Sequence, residues 1–177
     1  MSQPSRALYI ILNLAKIPYE SCPVALRKGE HFGEEFKQVN RFQRVPCIVD
    51  KDFKLGESVA IVRYLAKEHK LPDSLYPQDS RKQALVDEYL EWQHLNTRLG
   101  CSLYFRLKVL EPLLGKKPEE AVVTMAHKQM VAALKNIENI WLESNRFLVG
   151  DGLTVADVFA ACEIEQTSRF FERLRLS

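Results

Sequence analysis

The chain has 177 residues, 46% hydrophobic and 27% charged, which suits one or two small soluble domains with real cores. Its 25 basic and 23 acidic side chains leave a formal charge of +2, too small a surplus to point to nucleic acid. The longest apolar run, Ala7 to Ala15, is broken by Asn13 and is far too short to span a bilayer, and the opening residues Met1 to Arg6 lack the layout of a signal peptide, so the sequence reads as cytoplasmic with no membrane partner.

In chain order, Pro4 in a first turn and Ala7, Leu8, Ile11, Leu12 and Leu14 on one face predict a helix that starts after Ser2 or Gln3 and stops before Pro18. Tyr19 to Val24 reads as a short strand. A charged stretch, Arg27-Lys28-Gly29-Glu30-His31, then leads to a short helix near Glu34 to Lys37. From Arg44 to Leu55, two short β-rich pieces flank Asp50-Lys51-Asp52 and predict a hairpin. Glu57-Ser58 opens an amphipathic helix with Val59, Val62, Leu65 and Ala66 inward and Arg63, Lys67 and Glu68 outward.

Residues 69–80, with Pro72, Asp73 and Pro77, read as a linker between a domain at 1–68 and a second at 81–177. Beyond it the pattern is only helical. One long helix runs from Arg81 to about Lys108, with Gly100 as the place for a bend, and another runs from Glu119 to Glu143 with Val123, Met130, Leu134, Ile137 and Trp141 on one face. A third begins at Thr154. The expected architecture is an α/β unit joined to a helical bundle.

Cys22, Cys47, Cys101 and Cys162 form no CxxC and match no zinc spacing, so no metal is expected; apolar neighbours mark each as a buried free thiol. A redox oxidoreductase is therefore disfavoured. Three features carry more information. Val45-Pro46 stands directly before a strand; a trans proline that merely starts the strand is the commoner arrangement, whereas a cis bond would turn the Val45 backbone outward to pair with an extended peptide. Glu57-Ser58 stands at a helix start, where free N–H groups attract a carboxylate, although Ser58 can also serve as a simple cap. Thr154-Val155-Ala156-Asp157 is a capping box with aspartate in place of glutamate, and Leu153 with Val158 would form its hydrophobic staple; this is a folding signal, not a catalyst.

Taken in order, these segments resemble one family, the glutathione transferases, and its theta class most closely. Ser2-Gln3-Pro4-Ser5-Arg6-Ala7 resembles the theta active-site segment, Lys28-Gly29-Glu30-His31 the glycine-recognition loop, and Arg44-Val45-Pro46 the cis-proline segment. Glu57-Ser58 resembles the γ-glutamyl carboxylate site, and Thr154 to Asp157 the capping box of the helical domain.

The resemblance implies a thioredoxin-like α/β domain followed by an all-helical domain. It implies glutathione as co-substrate, no separate cofactor, electrophilic small molecules as second substrates, and a two-fold homodimer. By the same resemblance Ser2 is the catalytic hydroxyl that hydrogen-bonds the glutathione sulfur. His31 and Arg44 bind the glycine end, Val45 the cysteinyl backbone, Glu57 and Ser58 the γ-glutamyl end, and Arg98 lines the site. Against the family pattern, Met1 stands where a first strand should end, and the chain stops soon after the capped helix. An incomplete sheet and bundle are therefore expected, and the alternative to an enzyme is an inactive transferase-fold binding module.

Overall fold

A computed structural model describes residues 2–175, with side chains described through residue 167. Met1 and the closing residues 176 and 177, on which the expectation of missing end segments leans, lie outside the described residues. The chain divides into two compact units, Met1–Pro72 and Asp73–Ser177.

In the first unit, helix α1 spans Gln3–Leu14 with Pro4 in its first turn, where a missing N–H leaves no bond unmade. Ala7, Leu8 and Ile11 are buried, and this face packs against α3 (Ser58–Glu68), which buries Val59, Ile61, Val62 and Leu65. Between them come α2 (Glu34–Val39) and an antiparallel hairpin of β1 (Cys47–Asp50) and β2 (Phe53–Gly56). Its register pairs Cys47 with Gly56 and Asp50 with Phe53, so Lys51 and Asp52 form the turn. The far end of the hairpin is tied to α3: the Asp50 carboxylate accepts from the Tyr64 hydroxyl at 2.8 Å and pairs with His69 Nε2 at 2.6 Å. Those two bonds hold the Asp50 carboxyl below its ordinary range, and the Tyr64 hydroxyl is pushed up to about 12, chiefly by its bond to Asp50.

Tyr19 to Val24 is not a strand. Pro23 removes one donor from the segment and Pro18 another just before it, residues 19–23 are exposed, and among the described residues the only sheet is the β1–β2 pair. Tyr19 instead packs edge-on against Tyr9 at 5.3 Å and accepts a hydrogen bond from Asn13 Nδ2 at 2.9 Å. This exposed path also carries Cys22 to the surface, contrary to the expectation that all four thiols are buried. Cys101 and Cys162 are buried and Cys47 half-buried; burial pushes the Cys47 thiol up and the Cys101 thiol up to about 12.

The helical unit begins earlier than the composition of the 69–80 stretch suggests. The Leu75 carbonyl accepts from Val155 N–H at 2.9 Å, and the Tyr76 hydroxyl donates to Asp87 at 2.9 Å. The expected long helix is continuous but uneven. It comprises α4 (Ser80–Gln93), a wide π-type turn at His94–Arg98, α5 (Leu99–Phe105), a second wide turn at Arg106–Leu110, and the short α6 (Glu111–Leu113). Helix α7 (Glu120–Asn136) ends in a third wide turn at Ile137–Leu142, and α8 spans Val155–Arg175. Cys101, Tyr104 and Leu107 pack with Val123, Ala126 and Met130 to form the core between α5, with the wide turn that follows it, and α7.

Gly100 follows a wide turn, but close packing is what requires it. A Cβ there would lie 3.0 Å from Met130 Cα, 3.2 Å from Met130 N and 3.3 Å from the Gln129 carbonyl, all backbone atoms of α7. Alanine would gain about 1 kcal/mol of helix propensity and lose about 1–3 kcal/mol to overpacking. Gly100→Ala is therefore expected to destabilise the protein in urea-denaturation measurements; a more stable variant would contradict the close approach.

At the start of α8 the Asp157 carboxylate accepts from Thr154 N–H at 2.9 Å, Thr154 Oγ1 at 3.0 Å and Leu148 N–H at 2.8 Å. The carboxylate half of the capping box, Asp157 reaching back to the Thr154 N–H, is thus formed and extended to a neighbouring loop. The expected staple is not supported: Val158 is buried, but Leu153 is 40% exposed and contributes little to covering the helix end.

Candidate functional site

The residues singled out by the sequence fall mostly in the first unit. Ser2 is the N-cap of α1 in extended conformation, with φ −69° and ψ 156°. Its hydroxyl does not cap the helix. It lies 2.7 Å from the Ser5 hydroxyl, and either oxygen can donate. With Ser5 as donor, the Ser2 O–H is left to point at a third atom, and the incoming bond makes it a better donor.

His31 sits in a short 3₁₀ turn, Glu30–Phe32, which follows Gly29 at φ 75°, a left-handed position that glycine adopts without strain. Its ring stacks on Phe32 at 3.9 Å, and its Nδ1 is buried without a hydrogen-bond partner. A buried polar atom left so costs about 1–3 kcal/mol.

The Val45–Pro46 peptide bond is cis, as the family context implies and the bare dipeptide does not. The Arg44 side chain is exposed, while its carbonyl accepts from Asn40 Nδ2 at 2.6 Å. Asn40 also packs against Gly56, the residue before Glu57, so the Arg44–Val45 and Glu57–Ser58 segments lie side by side. Glu57 is the N-cap of α3 at φ 62°, in the left-handed region, where a non-glycine residue stores about 1–3 kcal/mol. Ser58 is the first helical residue and not the cap that the sequence also allowed. The Ile61 N–H bonds back to the Glu57 carbonyl at 2.9 Å, so the N–H groups of Ser58, Val59 and Ala60 precede the intrahelical ladder. Those groups and the positive end of the helix suit an anion.

Arg98 stands apart from these residues in the sequence and lies in the helical unit. Its Nη1 donates to Glu163 Oε1 at 2.5 Å, and Glu163 is 1% exposed. Sequence reasoning missed two residues, Asn40 and Ser5. Nothing in the pattern marks Asn40, whereas Ser5 was visible only as part of the Ser2 segment. Among the described residues no group of His, Cys, Asp or Glu gathers to hold a metal ion, and no helix is long and apolar enough to cross a membrane.

A small α/β unit with a cis-proline ahead of its hairpin, followed by a helical unit, defines a thioredoxin-like domain with an all-helical partner, the glutathione-transferase fold. Family models agree: "Glutathione S-transferase, N-terminal domain" matches residues 2–67 and "Glutathione S-transferase, C-terminal domain" matches residues 102–174. Glutathione S-transferase theta-1 of Bos taurus is 44% identical over 167 residues, covering 93% of this chain and 69% of the relative. The structure of human glutathione transferase theta-2 in complex with glutathione and an unknown ligand superposes with a TM-score of 0.91 at 37% identity, covering 96% of this chain and 70% of that one. A human theta-class transferase bound to the glutathione conjugate of 1-menaphthyl sulfate gives 0.90 at 38% identity, covering 94% and 68%. The chain belongs to the glutathione S-transferase family, in its theta class.

Proposed function

We propose that this transferase conjugates the thiolate of glutathione to electrophilic small molecules, with Ser2 as the group that stabilises the thiolate. The observation that carries the assignment of the site is the placement of Arg44–Val45 beside the open first turn of α3. In this reading the free N–H groups of that turn and the Ser58 hydroxyl hold the γ-glutamyl carboxylate. Glu57, turned outward by its positive φ, takes the γ-glutamyl amino group. Val45 pairs through its backbone with the cysteinyl residue, and His31 with Arg44 takes the glycine carboxylate.

Ser2 then donates to the sulfur. A hydrogen bond to a charged group contributes about 1.5–3 kcal/mol, which lowers a thiol pKa by about one to two units from roughly 8.5. Thiolate thereby becomes a substantial species at neutral pH. It attacks the electrophilic carbon of the second substrate, forming a C–S bond as the leaving group departs with its electron pair or as the electrons move onto an activating group. Theta-class relatives solved with glutathione and with a glutathione conjugate support this reaction. A cytoplasmic location and a two-fold homodimer belong to the same reading and rest on the family resemblance.

Ser58→Ala is expected to weaken glutathione binding by about 1–3 kcal/mol through loss of a donor to a charged group. Titration calorimetry on the folded variant checks it, and unchanged affinity would remove Ser58 from the site. Turnover of a small alkyl halide by protein retained on glutathione resin separates an enzyme from a binding module.

A further inference from the structure

We propose that Asn40 is a positioning residue for glutathione: one buried amide that fixes the spacing between the two backbone segments on which the function proposed above rests. Asn40 ends α2 in extended conformation and is 6% exposed. Its backbone is committed on both sides, the N–H donating to the Phe36 carbonyl at 2.8 Å and the carbonyl accepting from Gln43 N–H at 2.8 Å. Its side chain is committed as well. Oδ1 accepts from Phe42 N–H at 3.0 Å, and Nδ2 donates to the Arg44 carbonyl at 2.6 Å. Three of these bonds shape residues 40–44, the turn that delivers Arg44 and Val45, and the fourth ties that turn to α2.

The opposite face of the same amide meets the second segment. A Cβ on Gly56 would lie 3.2 Å from Asn40 Nδ2, 3.3 Å from Oδ1 and 3.5 Å from Cγ. Gly56 has no positive φ, so its backbone conformation does not call for glycine; the approach of the amide does. Gly56 pairs with Cys47 across the hairpin and is followed at once by Glu57 and Ser58. The hairpin register sets which residues are opposite, and Asn40 sets how far apart the two chain ends lie as they leave it. Catalysis and tight binding demand placement to within a fraction of an ångström, and rigid supporting residues supply that placement.

Asn40→Asp is the sharpest test, because it keeps the shape and the Oδ1 acceptor while setting a second oxygen against the Arg44 carbonyl. Glutathione titrated calorimetrically into the folded variant should show a dissociation constant raised at least about tenfold, the range of one lost well-placed interaction. Gly56→Ala should raise it in the same direction by pushing on the amide. Asn40→Ala combined with Gly56→Ala should bind no more weakly than Asn40→Ala alone, since the methyl group then enters the space the amide held; that non-additivity is the signature of a shared contact.

A purely structural Asn40 would lower the melting temperature and the fraction of binding-competent protein, and so the stoichiometry, while leaving the dissociation constant of the folded fraction unchanged. That result overturns the proposal. Where Asn40→Asp is not recovered folded, an unchanged constant in folded Gly56→Ala overturns it equally. Ser58→Ala measured alongside separates the two ideas. Weaker binding in Ser58→Ala with none in Asn40→Asp or Gly56→Ala rejects Asn40 and keeps the site. The opposite pattern rejects the role of Ser58 and keeps Asn40.

Discussion

Arg98→Ala should unfold this protein more readily than any exposed substitution, by about 3–5 kcal/mol, the range seen when one partner of a buried ion pair is removed. Glu163 is 1% exposed, and Arg98 donates to it at 2.5 Å from a side chain that is one-third exposed. The guanidinium is a partner of a carboxylate whose burial carries a large desolvation penalty. The pair joins the wide turn at His94–Arg98 to α8, so its loss also loosens the packing of the helical unit. Replacing both, as Arg98→Ala with Glu163→Gln, removes the charge together with its counterion and should recover much of the loss. Urea denaturation of the two variants measures both numbers. A loss below about 1 kcal/mol for Arg98→Ala would mean that the pair behaves as an exposed one.

Asp157→Ala should follow closely, at about 2–4 kcal/mol, because one carboxylate satisfies Thr154 N–H, Thr154 Oγ1 and Leu148 N–H together. At about 2–4 °C for each kcal/mol in a chain of this size, the melting temperature should drop by roughly 5–15 °C. Asp157→Asn retains an acceptor and should fall between the two. Turnover per folded molecule is expected to hold in Asp157→Ala, since this residue caps a helix and touches no proposed substrate atom. A loss of turnover without a loss of stability would reverse that assignment.

What the sequence made legible is mostly what periodicity and punctuation encode. The face of Ala7, Leu8 and Ile11, the face of Val59, Val62 and Leu65, the hairpin and the Asp157 bond to Thr154 N–H are all local signals, and each is present. Leu14 of the first expected face is exposed, however, and Asp50 pairs in the strand and leaves Lys51 and Asp52 as the turn. The wide turns left no mark, because apolar residues three or four apart read alike whether or not one extra residue is accommodated. Tyr19 to Val24 had the composition of a strand, but pairing depends on a neighbour and on donors that two prolines remove. The site was legible as segments, each weak alone and informative in order. Asn40 was not, for its importance comes from meeting Gly56, which is remote in sequence and adjacent only after the hairpin closes.

The attachment of residues 73–80 bears on where this chain can be cut. Leu75 supplies a carbonyl to the first N–H of α8, a donor with no partner inside its own helix, and Tyr76 is fastened to Asp87. A protease probing the junction would find the stretch after Asp73 already folded onto the helices and should be directed to the residues just before it. A helical fragment begun at Arg81, where the regular pattern starts, would leave behind a carbonyl that caps a helix far along the chain; one begun at Asp73 would keep it.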